Sequence, residues 1–157
     1  MKSTFKLVVF LLISVVLFGC GSKKETEFVK KCELTSNDVA NGYKLDSVYE
    51  IHGTGKTVDS VVTTETVISE DEDTLNYFKE YLSSTYESYN KSYGGYTNEI
   101  TIENGKLVSK TTIDYSKMDL KKYVADNSAM KNYVSDDNKI LLDGIKNIYE
   151  SLGASCE

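Results

Sequence analysis

Asn104-Gly105, set between two runs rich in alternating β-branched residues, constrains the fold of this chain more than any other dipeptide in it. Both residues tolerate positive φ, which a two-residue hairpin turn of the right twist requires. Tyr96 to Glu103 and Lys106 to Tyr115 are therefore predicted to pair antiparallel, in a register fixed locally.

The segment before it has the same character, since from Phe28 to Ser69 β-branched and aromatic residues are punctuated by turn signals. A first strand is predicted over Val29 to Thr35, with a connection marked by Ser36-Asn37-Asp38 and Asn41-Gly42. A second runs from Tyr43 to His52, and Gly53-Thr54-Gly55 turns it into a third from Lys56 to Ile68. In that third strand Val58, Val62 and Ile68 share one parity and Val61 and Val67 the other. A central strand follows, with one face under helices and the other partly covered.

Ser69-Glu70-Asp71-Glu72 reads as a capping box with Ser69 as the cap. The helix it opens should reach about Tyr89 on a stripe of Leu75, Phe78, Leu82, Tyr86 and Tyr89, and Gly94-Gly95 ends it. Beyond the hairpin, Met118 to Val124 is a short helix or turn, and Asn127 to Asp137 has no clear period. Asn138 to Leu152 is a second long helix with Leu141, Ile145, Ile148, Tyr149 and Leu152 on one side and Gly153 as its left-handed cap. Segregated blocks in this order predict an α+β fold: an antiparallel sheet of about five strands with two main helices on one face.

At the amino terminus, Lys2 and Lys6 precede an apolar stretch from Leu7 to Phe18 broken only by Ser14. A helix needs about 20 apolar residues to cross a bilayer, whereas a secretory leader needs only about 7 to 15. The stretch ends at Leu17-Phe18-Gly19-Cys20, which resembles the lipobox of bacterial lipoproteins, with Phe18 where a small residue is more usual. The resemblance implies that residues 1–19 are a signal peptide and that Cys20 becomes a diacylglyceryl-modified first residue. Two acyl chains hold a protein stably where one is marginal. Gly21 to Glu27 is polar and aperiodic, a tether too poor in apolar residues to fold. Residues 28–157 then form a single domain, carried on the outer side of the cell membrane.

The chain has 18 lysines, no arginine and 24 acidic residues, a formal charge of −6 that becomes −8 when the leader removes Lys2 and Lys6. Such a surface repels phosphate backbones, and nucleic acid is not an expected partner. Of three cysteines, Cys20 is assigned to lipid. Cys32 and Cys156, near opposite ends of the domain, are expected to pair in an oxidising compartment, with two buried free thiols as the alternative.

The lipobox cysteine, Cys32-Glu33-Leu34-Thr35, the turns at Gly55-Lys56 and Gly105-Lys106, the run Asp114-Tyr115-Ser116-Lys117-Met118-Asp119 and the terminal Leu152-Gly153-Ala154-Ser155-Cys156 together resemble the YehR-like family of small bacterial lipoproteins. The resemblance implies an α+β lipoprotein domain and supplies no mechanism.

The residues themselves offer little catalytic chemistry. His52 is the single histidine, and no nucleophile motif accompanies it. Zinc needs clustered His or Cys ligands, and calcium needs alternating acids with a later Glu; Glu70-Asp71-Glu72-Asp73 and Asp136-Asp137 have neither pattern. No metal, cofactor or enzymatic activity is expected. The unusual feature is 12 tyrosines, six of them at Tyr77, Tyr81, Tyr86, Tyr89, Tyr93 and Tyr96. Tyr77 and Tyr81, one turn apart, share a face. A ring with a polar tip suits contact with a glycan or an envelope protein, so Tyr77, Tyr81, Tyr93 and Tyr96 are the candidate binding residues; packing between helix and sheet is the plainer role for them. A purely structural envelope lipoprotein is the alternative function, and an enzyme the third.

Overall fold

The computed structural model describes residues 25–157. The leader and Cys20, with most of the tether, lie outside the described residues. Three long strands, β1 (Glu27–Asp38), β2 (Tyr43–Thr54) and β3 (Thr57–Ser69), form a meander. Helix α1 (Glu72–Tyr93) crosses to the hairpin of β4 (Tyr96–Glu103) and β5 (Lys106–Asp114). A short α2 (Leu120–Asp126), a 3₁₀ segment (Ser128–Tyr133), β6 (Ile140–Leu141), α3 (Leu142–Ser151) and β7 (Ser155–Cys156) complete the chain. The sheet runs in the order β4-β5-β3-β2-β1-β7 with β6 beside β3, and every pairing is antiparallel. The α+β class is as the sequence predicts, with seven strands instead of about five. The two additional strands have two residues each, too short to leave a periodic signal.

The hairpin turn is the predicted one: Asn104 and Gly105 have φ of 51° and 72°, and β4 pairs β5 from Glu103↔Lys106 outward. Cys32 and Cys156 form a disulfide that pins β7 to β1. Gly153 adopts φ 96°, as expected of a left-handed helix end.

Four local expectations are corrected. First, β1 takes up Glu27 and continues to Asp38, and Thr26 accepts from the Gly55 N–H, so the tether's end is already part of the fold. Second, Ser69 does not cap α1. It is the last residue of β3, buried and paired with Tyr43, and its hydroxyl donates to the Gly42 carbonyl and accepts from the Asp71 N–H. Asp71 caps instead, accepting from the Asp73 N–H at 3.1 Å. Third, the last helix starts at Leu142 rather than Asn138, because Ile140, wholly buried, pairs with Val58 and the Leu142 N–H donates to Lys56. Leu152, expected on its apolar stripe, is 60% exposed. Fourth, a bulge between His52 and Gly53 shifts the register by one, bringing Val58 onto the same face as Val61. The opposite face, expected to be partly covered, carries Val62, Thr64 and Thr66, all half-buried, and Ile68, 44% exposed.

On the covered face the core falls into two apolar clusters. One gathers Tyr49, Ile51, Val58, Val61, Tyr96, Met118, Leu120, Ile140 and Ile145. The other gathers Val67, Leu75, Leu82 and Leu107. Between them a polar belt crosses the strands in register: Ser47, Glu65 and Ser109 in one row, Thr63, Thr111 and Asn98 in the next. Asn98 donates to Ser109 at 2.9 Å and to Thr111 at 2.8 Å, while Tyr86 from α1 donates to Glu65 at 2.9 Å. Among the described residues no buried side-chain nitrogen or oxygen lacks a partner, so the belt does not carry the cost of burying polar groups unpaired.

Candidate binding groove

The turn between β1 and β2 and the first turns of α1 meet at one end of the sheet. Asp38 fastens the strand turn, accepting from the Asn41 backbone at 3.1 Å and from its side-chain amide at 2.8 Å. Asp71 fastens the helix, accepting from Thr74 Oγ1 at 2.7 Å as well as from Asp73. These bonds, the Thr74 hydroxyl's first, hold the Asp71 carboxyl below the usual carboxylate range, so it stays ionised.

Between these two fixed points three rings meet. Tyr43 of β2 contacts Phe78 edge to face with centroids 4.9 Å apart, and Tyr77 does the same at 5.7 Å. Asn41, Asp71, Asp73 and Thr74 complete the wall of a groove of about 440 Å³. Tyr81 stacks against Tyr77 at 6.2 Å, one turn along α1. Tyr77 and Tyr81 are 63% and 53% exposed, an extent of bare aromatic surface that packing does not require.

The other two candidate tyrosines go elsewhere. Tyr96 is 7% exposed, and burial pushes its hydroxyl's pKa well up; it is a core residue and not a surface one. Tyr93 donates to Asp126 at 3.2 Å, and Lys122 lies 4.5 Å over its ring, so this side chain is already occupied by α2. Sequence reasoning missed Tyr43, Phe78 and Asn41 as groove residues. The apolar stripe of α1 placed Phe78 in the core, and nothing local links the β1–β2 turn to a helix that begins a whole β3 later.

His52 lies on the face of the sheet opposite the two apolar clusters, where the register sets Val29, His52, Ser60 and Asp114 side by side. The order matters, because a relay needs the histidine between the hydroxyl and the carboxylate. Here the carboxylate neighbours the serine, and Asp114 is already engaged by Ser116 and Lys117. Among the described residues no group of three or more His, Cys, Asp or Glu side chains is placed to hold a metal ion, and no helix is long and apolar enough to cross a membrane.

No protein-family model matches the chain, and no curated protein matches it either. Among solved structures it has a distant similarity to a protein from Streptococcus pneumoniae TIGR4 determined by NMR, at 17% identity and a TM-score of 0.49, covering 100% of this chain and 94% of that one. It has a similar one to the NMR structure of the E. coli YehR protein, at 18% identity and a TM-score of 0.49, covering 84% of this chain and 91% of that one.

Proposed function

We propose that this protein is a YehR-like, lipid-anchored binding domain on the outer side of the cell membrane, without catalytic chemistry of its own. The leader, the Cys20 lipobox and the short motifs around Cys32, Asp114 and Cys156 support the membrane anchor. The observation that carries the binding role is the aromatic groove and its place on the domain. The chain enters at Glu25 and Thr26, beside the Gly55 turn. The groove sits at the far end of β1, a strand of 12 residues, or roughly 36 Å away at 3.3 Å per residue. An anchor at Cys20 leaves only a few residues before the fold begins, so the Gly55 end rides near the bilayer and the groove points away from it.

The test is amide hydrogen exchange on the full chain in detergent, with purified envelope glycan and envelope protein fractions added separately. New protection at 41–43 and 71–81 with either fraction, lost in a Tyr77→Ala/Tyr81→Ala double variant, is the expected result. No change with either fraction would leave a protein that works by anchoring and packing alone. The anchor is tested independently: Cys20→Ser should abolish labelling by a fatty acid and leave the leader uncut.

A further inference from the structure

We infer that the groove takes a primary ammonium group on an aliphatic stem, the side chain of a lysine presented by an exposed peptide. The inference rests on the binding role proposed above and names its ligand chemistry. Tyr43 and Tyr77 both meet Phe78 edge-on, at interplanar angles of 69° and 78°, so the three rings form walls rather than one flat platform. Walls of this kind suit a linear methylene chain better than a sugar ring, which stacks on a flat face.

The rim supplies the charge. Asp71 and Asp73 both line the groove, and no lysine does. Asn41 commits its amide N–H to Asp38, leaving its carbonyl oxygen as an acceptor for an ammonium donor. A cation over the ring faces of Tyr77 or Tyr43 gains further attraction from their π-electrons.

One effect opposes this. The amino-terminal end of α1 bears a partial positive charge of about half a unit, which by itself would favour an anion. Glu70, Asp71, Glu72 and Asp73 set four carboxylates against it, and Asp71 already occupies the Asp73 backbone N–H. The carboxylates prevail, and the chain's net charge of −6 draws a cation toward the same end.

The experiment titrates tetralysine into the full chain in neutral detergent at physiological salt, following tyrosine fluorescence and backbone chemical shifts. The controls are tetralysine acetylated on every Nε and two protein variants, Tyr77→Ala and Asp73→Asn. Tyr77 makes no side-chain hydrogen bond, and Asp73 engages only its backbone N–H, so both variants should keep the fold. The expected result is shifts confined to 41–43 and 71–81, with Kd rising at least tenfold on acetylation of the peptide and in each variant. Equal binding of the acetylated peptide overturns the inference. So does binding that Tyr77→Ala leaves unchanged, which would be diffuse attraction to an acidic surface, and so does no binding at all. If tetralysine fails while an envelope fraction still protects the groove, only the ligand is wrong; if neither binds, the binding role falls as well.

Discussion

Tyr86 donates its hydroxyl to Glu65 across the interface between α1 and β3, at 2.9 Å, and so joins the helix to a carboxylate in the middle of the sheet's covered face. Burial raises the Glu65 pKa above its ordinary value of 4.5, and the Tyr86 bond only partly offsets it. Burial first, and then the Glu65 carboxylate, pushes the Tyr86 hydroxyl far above its own ordinary range. A carboxyl with a raised folded pKa binds its proton more tightly in the folded state than in the unfolded one. Its stabilising contribution is therefore full below 4.5 and is lost as pH rises through the folded value. Glu65→Gln keeps an acceptor for Tyr86 and removes the buried charge. The variant should melt higher than the parent at pH 7, with the gap closing as pH falls toward 4.5. Thermal melts across that range decide it, and a variant less stable at pH 7 would show that the ionised carboxylate is itself stabilising.

Tyr86→Phe tests the same pair from the other side. It leaves a half-buried carboxylate without its donor, and hydrogen bonds to charged groups contribute about 1.5 to 3 kcal/mol. A loss of about 2 kcal/mol at pH 7 is expected, and it should be much smaller in the Glu65→Gln background. Chemical denaturation of the four proteins in the cycle measures the coupling directly.

The disulfide closes nearly the whole domain, joining cysteines 124 residues apart. The chain-entropy model assigns such a loop roughly 5 kcal/mol, and native bridges in small secreted domains typically contribute about 2 to 5. The bonding around it is thin, because β7 pairs only Cys32 and Glu33, and one further backbone bond joins Glu157 to Lys31. Cys156→Ser should cost about 2 to 5 kcal/mol, and a reductant should lower the melting temperature of the parent but not of the variant. Alkylation of both thiols in the unreduced protein would refute the bridge.

What the sequence disclosed was whatever one segment decides alone. Asn104-Gly105 set its own hairpin, and the stripe through Leu75 and Leu82 buried the correct side of α1. The errors came where a distant partner decides. Ser69 satisfies the local rule for a helix cap, yet pairing with Tyr43 keeps it in the sheet and Gly42 takes its hydroxyl. Ile140 falls inside the helix predicted from Asn138, yet pairing with Val58 draws it into a strand. The polar belt was invisible for the same reason. Ser47, Glu65, Ser109 and Asn98 look like surface positions until register sets them side by side beneath α1. The groove behaved likewise: Tyr77 and Tyr81 could be paired from their spacing, whereas Tyr43 joins them only through the fold.

Gly144 shows how far tertiary contact overrides local preference. It lies in α3, where replacing glycine by alanine ordinarily gains about 1 kcal/mol of helix propensity. An added Cβ there would lie 2.5 Å from the Tyr133 Cβ and 2.8 Å from its Cγ, atoms close to the backbone that cannot swing away as a side-chain tip could. Overpacking of this kind costs about 1 to 3 kcal/mol, so the contact should outweigh the propensity and Gly144→Ala should destabilise. Gly42→Ala supplies the comparison, since φ there is +70° with nothing within 4 Å of an added Cβ. Its cost is conformational alone, about 1 to 2 kcal/mol for an L residue in the left-handed region. The two are told apart by where they act: Gly144→Ala should raise amide exchange throughout α3 and the Ser128–Tyr133 segment, whereas Gly42→Ala should disturb only the β1–β2 turn and the groove beside it. A Gly144→Ala protein as stable as its parent would mean that α3 can slide away from Tyr133 at no cost, and that the helix is held by Ile145 and Tyr149 rather than by this close approach.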